Sequence, residues 1–317
     1  MNFRRMFALM SMLLYAPLAF AQYPDKSIRV IVPFVAGGVS DILARVIAQK
    51  ITEQSGKTIV VENRGGAGGR IGYEAGAKAV GDGYTLVATD VTYTMLPALY
   101  PTLSWDHADL LPITLIAQMP FVIAVNANAK ARSMAELLAF AKANPGKINY
   151  GSSGIGGVNH VVTELFRRTA NIDITHVPYR GMGDAMAALL GGSIDMVITA
   201  MPTAMNQVKS GKINAMSVTA GRRPGALPNV PTTTEAGVLF VASNWVGFTT
   251  PKGASREAID WIQNQVAIAI SVTEVRERIS AAGAEAQLMS TDEFGKFMQD
   301  EGRRWGETIR TANIRAE

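Results

Sequence analysis

The pattern that decides the fold lies in residues 28–54, IRVIVPFVAGGVSDILARVIAQKITEQ. Its first five residues are mostly β-branched and predict a strand buried on both faces. Apolar residues then recur at helical spacing from Ile42 to Ile51, which predicts a helix. Gly37 and Gly38 permit a sharp turn and the close approach of a ligand. With Ser40 or Asp41 as the helix cap, the other amides of the first turn are free to bind an anion.

A second unit of the same design follows at residues 148–166. A short strand-like segment, Ile148 to Tyr150, leads into the loop GSSGIGG at residues 151–157, and apolar residues at helical spacing follow it. One such loop is adequately explained as a connection between strand and helix, whereas two loops with matching flanks favour ligand binding. If each loop begins its own α/β lobe, a small carboxylate can be held between the lobes.

The chain has the length and composition of two ordinary α/β domains, with 317 residues, 48% hydrophobic and 18% charged. Residues 1–21 read as a secretory signal peptide, because Arg4 and Arg5 precede an apolar run that ends in the small-x-small pattern Ala19-Phe20-Ala21. The alternative is a membrane anchor, but the run is too short to cross about 30 Å of hydrocarbon. We therefore expect a periplasmic protein that is cleaved near Ala21.

Charge and cysteine content exclude several classes of protein. Without Arg4 and Arg5 the chain has 28 basic and 26 acidic residues, a net charge of +2, and no basic cluster suits nucleic acid. The absence of cysteine excludes a disulfide framework, a thiolate metal site and a lipid-modified cysteine. We expect a soluble exported monomer with a small-molecule ligand.

Strand and helix signals alternate along the chain, which predicts a mostly parallel sheet flanked by helices in each lobe. We expect lobe 1 to comprise residues 22–122 and 247–317, and lobe 2 residues 123–246. Separate strands are expected on either side of Pro120, and a loop is expected at Pro97–Trp105. Neither the glycine-rich turn at residues 65–69 nor the loop that contains Gly154 has the spacing of a dinucleotide-binding fingerprint, so no cofactor is expected.

The sequence contains one candidate arrangement for a hydrolase and one for a metal site. Ser152 or Ser153 with His160 or His176 is the one arrangement for a hydrolase, but the loop lacks the last glycine of a nucleophile elbow. His160 and Glu164 lie one helical turn apart, but the sequence offers no third metal ligand at recognisable spacing. We therefore predict no catalytic residue and no metal site.

Two further residues allow alternative interpretations. Thr89 and Asp90 end the third predicted strand, so they should open on the same crevice as the first loop. Asp90 is either a helix or turn cap or a ligand contact. Trp245 lies at the expected return crossing between lobes and is either a wall of the crevice or part of the core.

Several motifs occur in a characteristic order along the chain. They are Val32-Pro33-Phe34 with Gly37-Gly38 and Asp41, Val61-Glu62-Asn63-Arg64, Asp82-Gly83-Tyr84, Tyr150-Gly151-Ser152-Ser153-Gly154 with His160, His176-Val177-Pro178-Tyr179, and Leu227-Pro228-Asn229-Val230-Pro231. This set resembles the Bug-type periplasmic solute receptors of tripartite tricarboxylate transporters, and the resemblance covers essentially the whole mature chain.

The resemblance implies a two-lobed Venus-flytrap fold of the type II periplasmic binding class, without catalysis. It implies that amides and small side chains of both loops hold a ligand carboxylate, and that the loaded receptor delivers it to a membrane permease. The contacts carried over are Phe34, Ala36, Gly37, Gly38, Ser40, Asp41, Ser152, Ser153, Gly154, Gly156 and His160. We add the residues expected at other strand ends, Thr89, Asp90, Tyr179, Thr199, Ala200 and Trp245.

The sequence departs from the family pattern at Asp90, where a small residue is usual. An ionised Asp90 beside a bound carboxylate would be repelled unless a cation lay between them, so we hypothesise a ligand that also carries an amine or another donor. Two other functions remain open: a co-receptor that reports ligand occupancy to a membrane histidine kinase, and an exported serine hydrolase.

Overall fold

The computed structural model describes residues 23–100 and 102–316. The predicted signal peptide lies outside these residues. The described part of the chain contains ten strands and ten α-helices. The strands are β1 Ile28–Val32, β2 Ile59–Asn63, β3 Thr85–Asp90, β4 Leu110–Asn126, β5 Asn149–Ser152, β6 Thr175–Pro178, β7 Met196–Ala200, β8 Ile213–Val218, β9 Ser243–Pro251 and β10 Glu285–Ala286.

The helices lie between and after the strands. They are α1 Val39–Ser55, α2 Arg70–Ala77, α3 Val91–Leu99, α4 Met134–Ala143, α5 Val158–Thr169, α6 Met182–Leu190, α7 Met201–Lys209, α8 Arg256–Ser271, α9 Thr273–Ala281 and α10 Thr291–Thr311. Of the helices within the described residues, none combines the length and apolar character needed to span a bilayer.

The strands form two sheets that share β4. The first sheet has the order β2-β1-β3-β9-β4, and the second has the order β4-β7-β5-β6, with β8 and β10 also paired to β4. The expected parallel pairing occurs in β2-β1-β3 and in β7-β5-β6, whereas β4, β8, β9 and β10 pair antiparallel. Each sheet is therefore mixed, with three parallel strands and an antiparallel margin.

The two strands expected around Pro120 are one continuous strand of 17 residues. Residues 110–120 of β4 pair with β9, and from Phe121 onward β4 pairs with β7 and β8. Pro120 has no amide hydrogen to contribute to a ladder, and it occupies the last position paired with β9. The proline therefore marks the position where β4 changes its pairing partner.

Apolar cores lie on both faces of the first sheet. On one face, β1 packs against α1 and α8, with Val30, Leu43 and Ile262 among the buried residues. On the other face, α3 and α10 form a core that continues into α4 and α5 of the second lobe. The tail thus packs on lobe 1 as expected, and α10 also contacts α5.

One local prediction is partly wrong, and one helix lies where the sequence predicts none. The predicted loop at Pro97–Trp105 is wrong in its first part, because α3 continues through Pro97 to Leu99. The missing amide of Pro97 costs one hydrogen bond, which burial of side chains such as Tyr93 and Leu96 offsets. Helix α7 was not anticipated, although its proline lies in the first turn, where helices tolerate proline well.

Trp245 belongs to the core rather than to a crevice wall. Its side chain is fully buried, and its ring packs edge-to-face against Phe294 with 5.6 Å between ring centroids. Its indole nitrogen donates to Glu301 Oε2 at 3.4 Å, and the Trp305 indole donates to the same oxygen at 2.7 Å. One buried carboxylate therefore accepts from both indoles.

We predict that Glu301→Leu lowers the free energy of unfolding by about 2–4 kcal/mol, because two buried N–H groups lose their acceptor. Glu301→Gln keeps an oxygen acceptor and should be milder. Glu307→Leu is the control, since Glu307 is exposed on the same helix and should change stability by less than about 0.5 kcal/mol. Urea unfolding measures all three, and equal losses for Glu301→Leu and Glu307→Leu would contradict this account.

Candidate ligand-binding site

The carboxyl ends of the parallel strands of both sheets converge at the shared strand. Asp90 at the end of β3 is paired with Val246, which in turn is paired with Ala117 of β4. Ala200 at the end of β7 is paired with Phe121 of β4. Neighbouring strands lie about 4.8 Å apart. The strand ends of both lobes therefore meet around residues 117–121 of β4, the usual place for a ligand crevice in open α/β sheets.

The first loop, residues 33–38, joins β1 to α1. Gly37 has φ of +86° and Gly38 is the N-cap of α1, without a side-chain capping bond. The first bond of the helix runs from the Ile42 amide to the Gly38 carbonyl at 2.9 Å. The amides of the three residues before Ile42 have no partner within the helix, so they are positioned as donors at the crevice.

Asp41 holds the first loop in shape. Its buried carboxylate accepts from the Gly37 amide, Arg45 Nε and Asn63 Nδ2, each at 2.9 Å. Asn63 Nδ2 also donates to the Phe34 carbonyl at 3.1 Å. Burial by itself raises the pKa of Asp41, but these hydrogen bonds outweigh it and hold the pKa below its usual value. Asp41 thus supports the loop through its side chain, instead of offering that side chain to a ligand.

The second loop, residues 151–157, repeats the geometry of the first. Gly156 has φ of +75° and Gly157 is the N-cap of α5, again without a side-chain capping bond. The Gly156 amide donates to His160 Nδ1 at 3.1 Å, as the Gly37 amide donates to Asp41. In both units, the third helical residue accepts from the glycine that precedes the N-cap. The predicted similarity of the loops therefore extends to their hydrogen bonds.

Some amides of the second loop form hydrogen bonds with nearby side chains, and others remain available as donors. The Gly154 amide donates to Ser152 Oγ at 3.1 Å, so the amides of Gly154 and Gly156 are both used inside the loop. The Val161 amide begins the helical bonding at the Gly157 carbonyl. Gly154 and Gly156 therefore shape the loop, and the first-turn amides of α5 are left as donors.

A stack of three rings lies behind the second loop. The imidazoles of His160 and His176 are nearly parallel, with 3.9 Å between centroids, and Tyr150 stacks on His176 at 4.9 Å. His176 Nε2 is hydrogen-bonded to Ser152 Oγ at 2.7 Å. Burial lowers the pKa of His160, and burial together with the adjacent His160 lowers the pKa of His176 to about 4. Both rings are neutral near pH 7.

Three of the helices that follow the converging strand ends lack a side-chain cap, whereas α3, which follows β3, is capped by Asp90. Helices α4, α8 and α10 begin after serines whose hydroxyls accept a first-turn amide. Helices α1, α5 and α7 begin at Gly38, Gly157 and Ala200, and no side chain caps them. At the edge where the strand ends converge, no capping side chain covers the positive ends of these three helix dipoles.

Arginines near the loops are bonded to carboxylates. Arg45 pairs with Asp41 at 2.9 Å, and the exposed Arg180 pairs with Asp184 at 3.1 Å. An anion in the crevice would thus be attracted mainly by amides and helix dipoles, which recognise one carboxylate without a full counter-charge.

Asp90 is the N-cap of α3. Its Oδ1 atom accepts from the Thr92 amide at 2.9 Å and from the Tyr73 hydroxyl at 2.8 Å. Burial raises the pKa of Asp90 to about 6, against the opposing effect of these hydrogen bonds. Of the two interpretations left open by the sequence, the structure contains the cap, and the predicted ligand contact remains a hypothesis.

Of the other predicted contact residues, some lie at strand ends and some have side chains buried within a sheet. Thr89 is fully buried and its hydroxyl lies 2.7 Å from that of Thr249, so its side chain joins β3 to β9 and is not a crevice group. Thr199 is buried within β7, and Ala200 caps α7 at the strand end. Tyr179 follows β6 and its amide donates to the Ser152 carbonyl at 3.2 Å. Trp245, as described above, is a core residue.

Some residues that shape the loops were not predicted as site residues. Asn159 accepts from Ser153 Oγ at 3.1 Å and donates to the Ile198 carbonyl at 2.8 Å, which ties the second loop to β7. Arg45 and Asn63 stabilise the first loop by donating hydrogen bonds to the Asp41 carboxylate. The repeated four-residue spacing between a loop glycine and its acceptor was a signal in the sequence, but a second chain segment such as Asn63 becomes a neighbour only in the fold.

The residues considered for catalysis and metal binding are engaged elsewhere. Ser152 does contact His176, but Ser152 is completely buried, and no carboxylate within the described residues is hydrogen-bonded to either imidazole. Glu164 accepts from the Tyr150 hydroxyl at 2.7 Å and pairs with Arg167 at 2.9 Å. Within the described residues, the Ser152–His176 pair therefore has neither a carboxylate that orients the imidazole nor an exposed serine hydroxyl.

Comparisons with known proteins agree with this architecture. The profile of the family described as tripartite tricarboxylate transporter family receptor matches residues 43–314. BugT of Bordetella pertussis is 34% identical, over 93% of this chain and 92% of BugT. A protein of R. palustris solved with adipate is 30% identical, with a TM-score of 0.82 over 93% of this chain and 100% of that chain. MatC of Rhodopseudomonas palustris, with bound malate, is 28% identical, with a TM-score of 0.78 over 90% and 100%.

The two sheets, the shared strand and the paired glycine loops define an α/β periplasmic binding protein, so the predicted two-lobed fold is confirmed. The chain belongs to the receptor family of the tripartite tricarboxylate transporters, the family to which the sequence motifs pointed. Two of the similar solved proteins contain adipate and malate.

We predict that Asp90→Asn stabilises the protein at pH 8 by about 2 kcal/mol, because Asn keeps the capping oxygen and removes a buried charge. The folded pKa of Asp90 is raised above its unfolded value of 3.8 to about 6. Its favourable contribution is therefore complete below pH 3.8 and lost as pH rises through 6. The difference in melting temperature between variant and wild type should shrink from pH 8 to pH 5.

The control for this measurement is Asp184→Asn, which removes an exposed carboxylate. It should change the melting temperature little at either pH. A similar pH dependence in both variants would show that the effect does not come from the buried Asp90.

Proposed function

We propose that this protein is an extracytoplasmic solute-binding receptor that captures a small carboxylate between its two lobes and delivers it to a membrane permease. The observation that carries the proposal is the repeated loop: Gly37 with Gly38, and Gly156 with Gly157, each open a helix that no side chain caps. Two sets of amide donors from different lobes suit a ligand held from both sides.

The family supports a carboxylate as the ligand. Relatives of similar structure hold adipate and malate, which share carboxylates at both ends of a short carbon chain. The crevice of this chain offers neutral donors, and the arginines beside it are already paired. We infer that the receptor takes a small mono- or dicarboxylate, and that it works in the periplasm as a monomer beside its permease.

Binding without catalysis fits the surroundings of Ser152. A nucleophile must reach its substrate, and the Ser152 side chain is enclosed by the loop and by His176. The hydrolase alternative is therefore weaker than the receptor. A co-receptor for a membrane histidine kinase uses the same ligand-binding step, and it is distinguished by its membrane partner.

The proposal is tested by thermal-shift screening of the mature protein against mono-, di- and tricarboxylates, amino acids and aromatic acids. A ligand that binds the folded state adds about 2.7 kcal/mol of stability at a hundredfold excess over its dissociation constant. We expect a selective shift with one of the small carboxylates. No shift with any acid, from protein refolded free of host ligand, would oppose the carboxylate assignment.

Gly38→Ala gives a sharper form of this test. Gly38 has φ of −73°, and an added Cβ would lie 3.6 Å from the Val35 carbonyl, so the fold should tolerate it. The methyl group occupies the loop at the helix start, and we expect the carboxylate-induced shift to be lost. Because alanine is a poorer N-cap than glycine, the ligand-free melting temperature should fall slightly. Gly225→Ala, at an exposed glycine with open space around it, should keep the full shift.

A further inference from the structure

The second loop keeps its shape through two side-chain acceptors that lie close together. Ser152 Oγ accepts the Gly154 amide, and His160 Nδ1 accepts the Gly156 amide, both at 3.1 Å. The first loop has one acceptor of this kind, the Asp41 carboxylate, which Arg45 and Asn63 hold in place. In the second loop, Ser152 Oγ and His160 Nδ1 likewise require neighbouring side chains that hold them in place.

One residue contacts both acceptors of the second loop. His176 is hydrogen-bonded to Ser152 Oγ at 2.7 Å, and its ring lies 3.9 Å from that of His160, with an angle of 9° between the ring planes. Tyr150 covers the His176 ring and is itself held by Glu164, which pairs with Arg167. His176 thus lies between a buried anchored network and the loop.

We propose that His176 is a positioning residue, which fixes the ligand-binding conformation of the second loop through Ser152 and His160, and that carboxylate binding requires both imidazoles to be neutral. The inference rests on the proposed function, because it assigns the role within the same site. It adds His176, which lies outside the predicted contacts, and it gives His160 a role as an acceptor inside the loop.

The requirement for neutral rings follows from the hydrogen-bond geometry. The Gly156 amide points at His160 Nδ1, so this nitrogen carries no proton and the ring proton is on Nε2. Protonation of Nδ1 would place two N–H groups against each other and release the Gly156 amide. Two imidazolium ions 3.9 Å apart would also repel each other.

Charged groups around the stack affect its titration in known directions. Burial lowers the pKa of both imidazoles, and Glu164 of α5 opposes this effect. Arg167 of α5 neutralises Glu164 and lies 3.8 Å from Asp173, while the neutral phenol of Tyr150 faces His176 from β5. Since the folded pKa of His176 is lowered from 6.5 to about 4, the intact stack is favoured above pH 6.5 and is progressively lost as pH falls towards 4.

The test uses two substitutions of His176 with different properties. His176→Phe keeps a flat ring between His160 and Tyr150 but cannot bond to Ser152. His176→Gln retains a polar group near the position of Nε2 and does not titrate. His107→Gln is the matched control, because His107 is the third histidine of the chain and is stacked on Tyr93, away from both loops.

Affinity is measured by calorimetry between pH 4 and pH 8 with malate and, separately, with adipate, the carboxylates held by similar solved proteins. We expect His176→Phe to weaken binding about tenfold at pH 7, the effect of losing one supporting hydrogen bond. His176→Gln should bind more tightly than His176→Phe, with a shallower loss of affinity at acid pH than wild type. Protonation of the ligand affects the wild type and the variants equally, so it cancels when the dissociation constant of a variant is divided by that of the wild type at the same pH. Unchanged affinity and unchanged acid dependence in both variants would overturn the proposal.

A measurement without ligand separates this inference from the proposed function. In ¹⁵N NMR spectra of the ligand-free protein, His160 should be the tautomer protonated on Nε2, and His176→Phe should shift the amide signals of Gly154 and Gly156. His107→Gln should leave those two signals in place. If wild type binds no carboxylate but these signals shift, the function is wrong and the positioning role stands. If the signals do not move, the positioning role is wrong whatever the ligand.

Discussion

The backbone pairing of β4 is the constraint on which the rest of the structure depends. A single strand of 17 residues belongs to both sheets, and its pairing changes from β9 to β7 and β8 at Pro120. The carboxyl ends of β3 and β7 are brought to the same short stretch of β4 because each is in register with it, directly or through β9. The strand ends therefore converge because one strand is shared, and loops distant in sequence lie at the same junction.

Two loops of equal backbone geometry are stabilised by different chemistry. In the first unit, a glycine amide is bound by the ionised Asp41, whose charge is compensated by Arg45. In the second, the equivalent amide is bound by the uncharged His160, supported by a stack of aromatic rings. The first arrangement depends on an ion pair at the edge of the protein, and the second on burial and stacking. The hydrogen bonds that hold the two loops can therefore respond differently to pH, although the two loops have the same backbone geometry.

Much of this arrangement was predictable, for identifiable reasons. The strand Ile28–Val32 and the helix Val39–Ser55 follow from local apolar periodicity, and the glycines between them allow the positive φ angle at Gly37. The sequence places Thr89 and Asp90 at the end of a strand and Trp245 at a crossing between lobes, but it does not determine which groups their side chains contact. The Thr89 hydroxyl bonds to Thr249 and Trp245 faces Glu301, and both partners lie far away in the chain.

The sequence by itself determined the family, the alternation of strands and helices, and the two glycine loops, because these depend on residue order, local periodicity and backbone freedom. Tertiary structure alone decided which side chains support the loops and which remain at the crevice. Asn63 reaches Asp41, and His176 reaches Ser152 and His160, only after parallel strands have been paired in register. Hydrogen bonds and ring stacking act over a few ångströms, so contacts between distant segments are fixed by the packing of the whole chain.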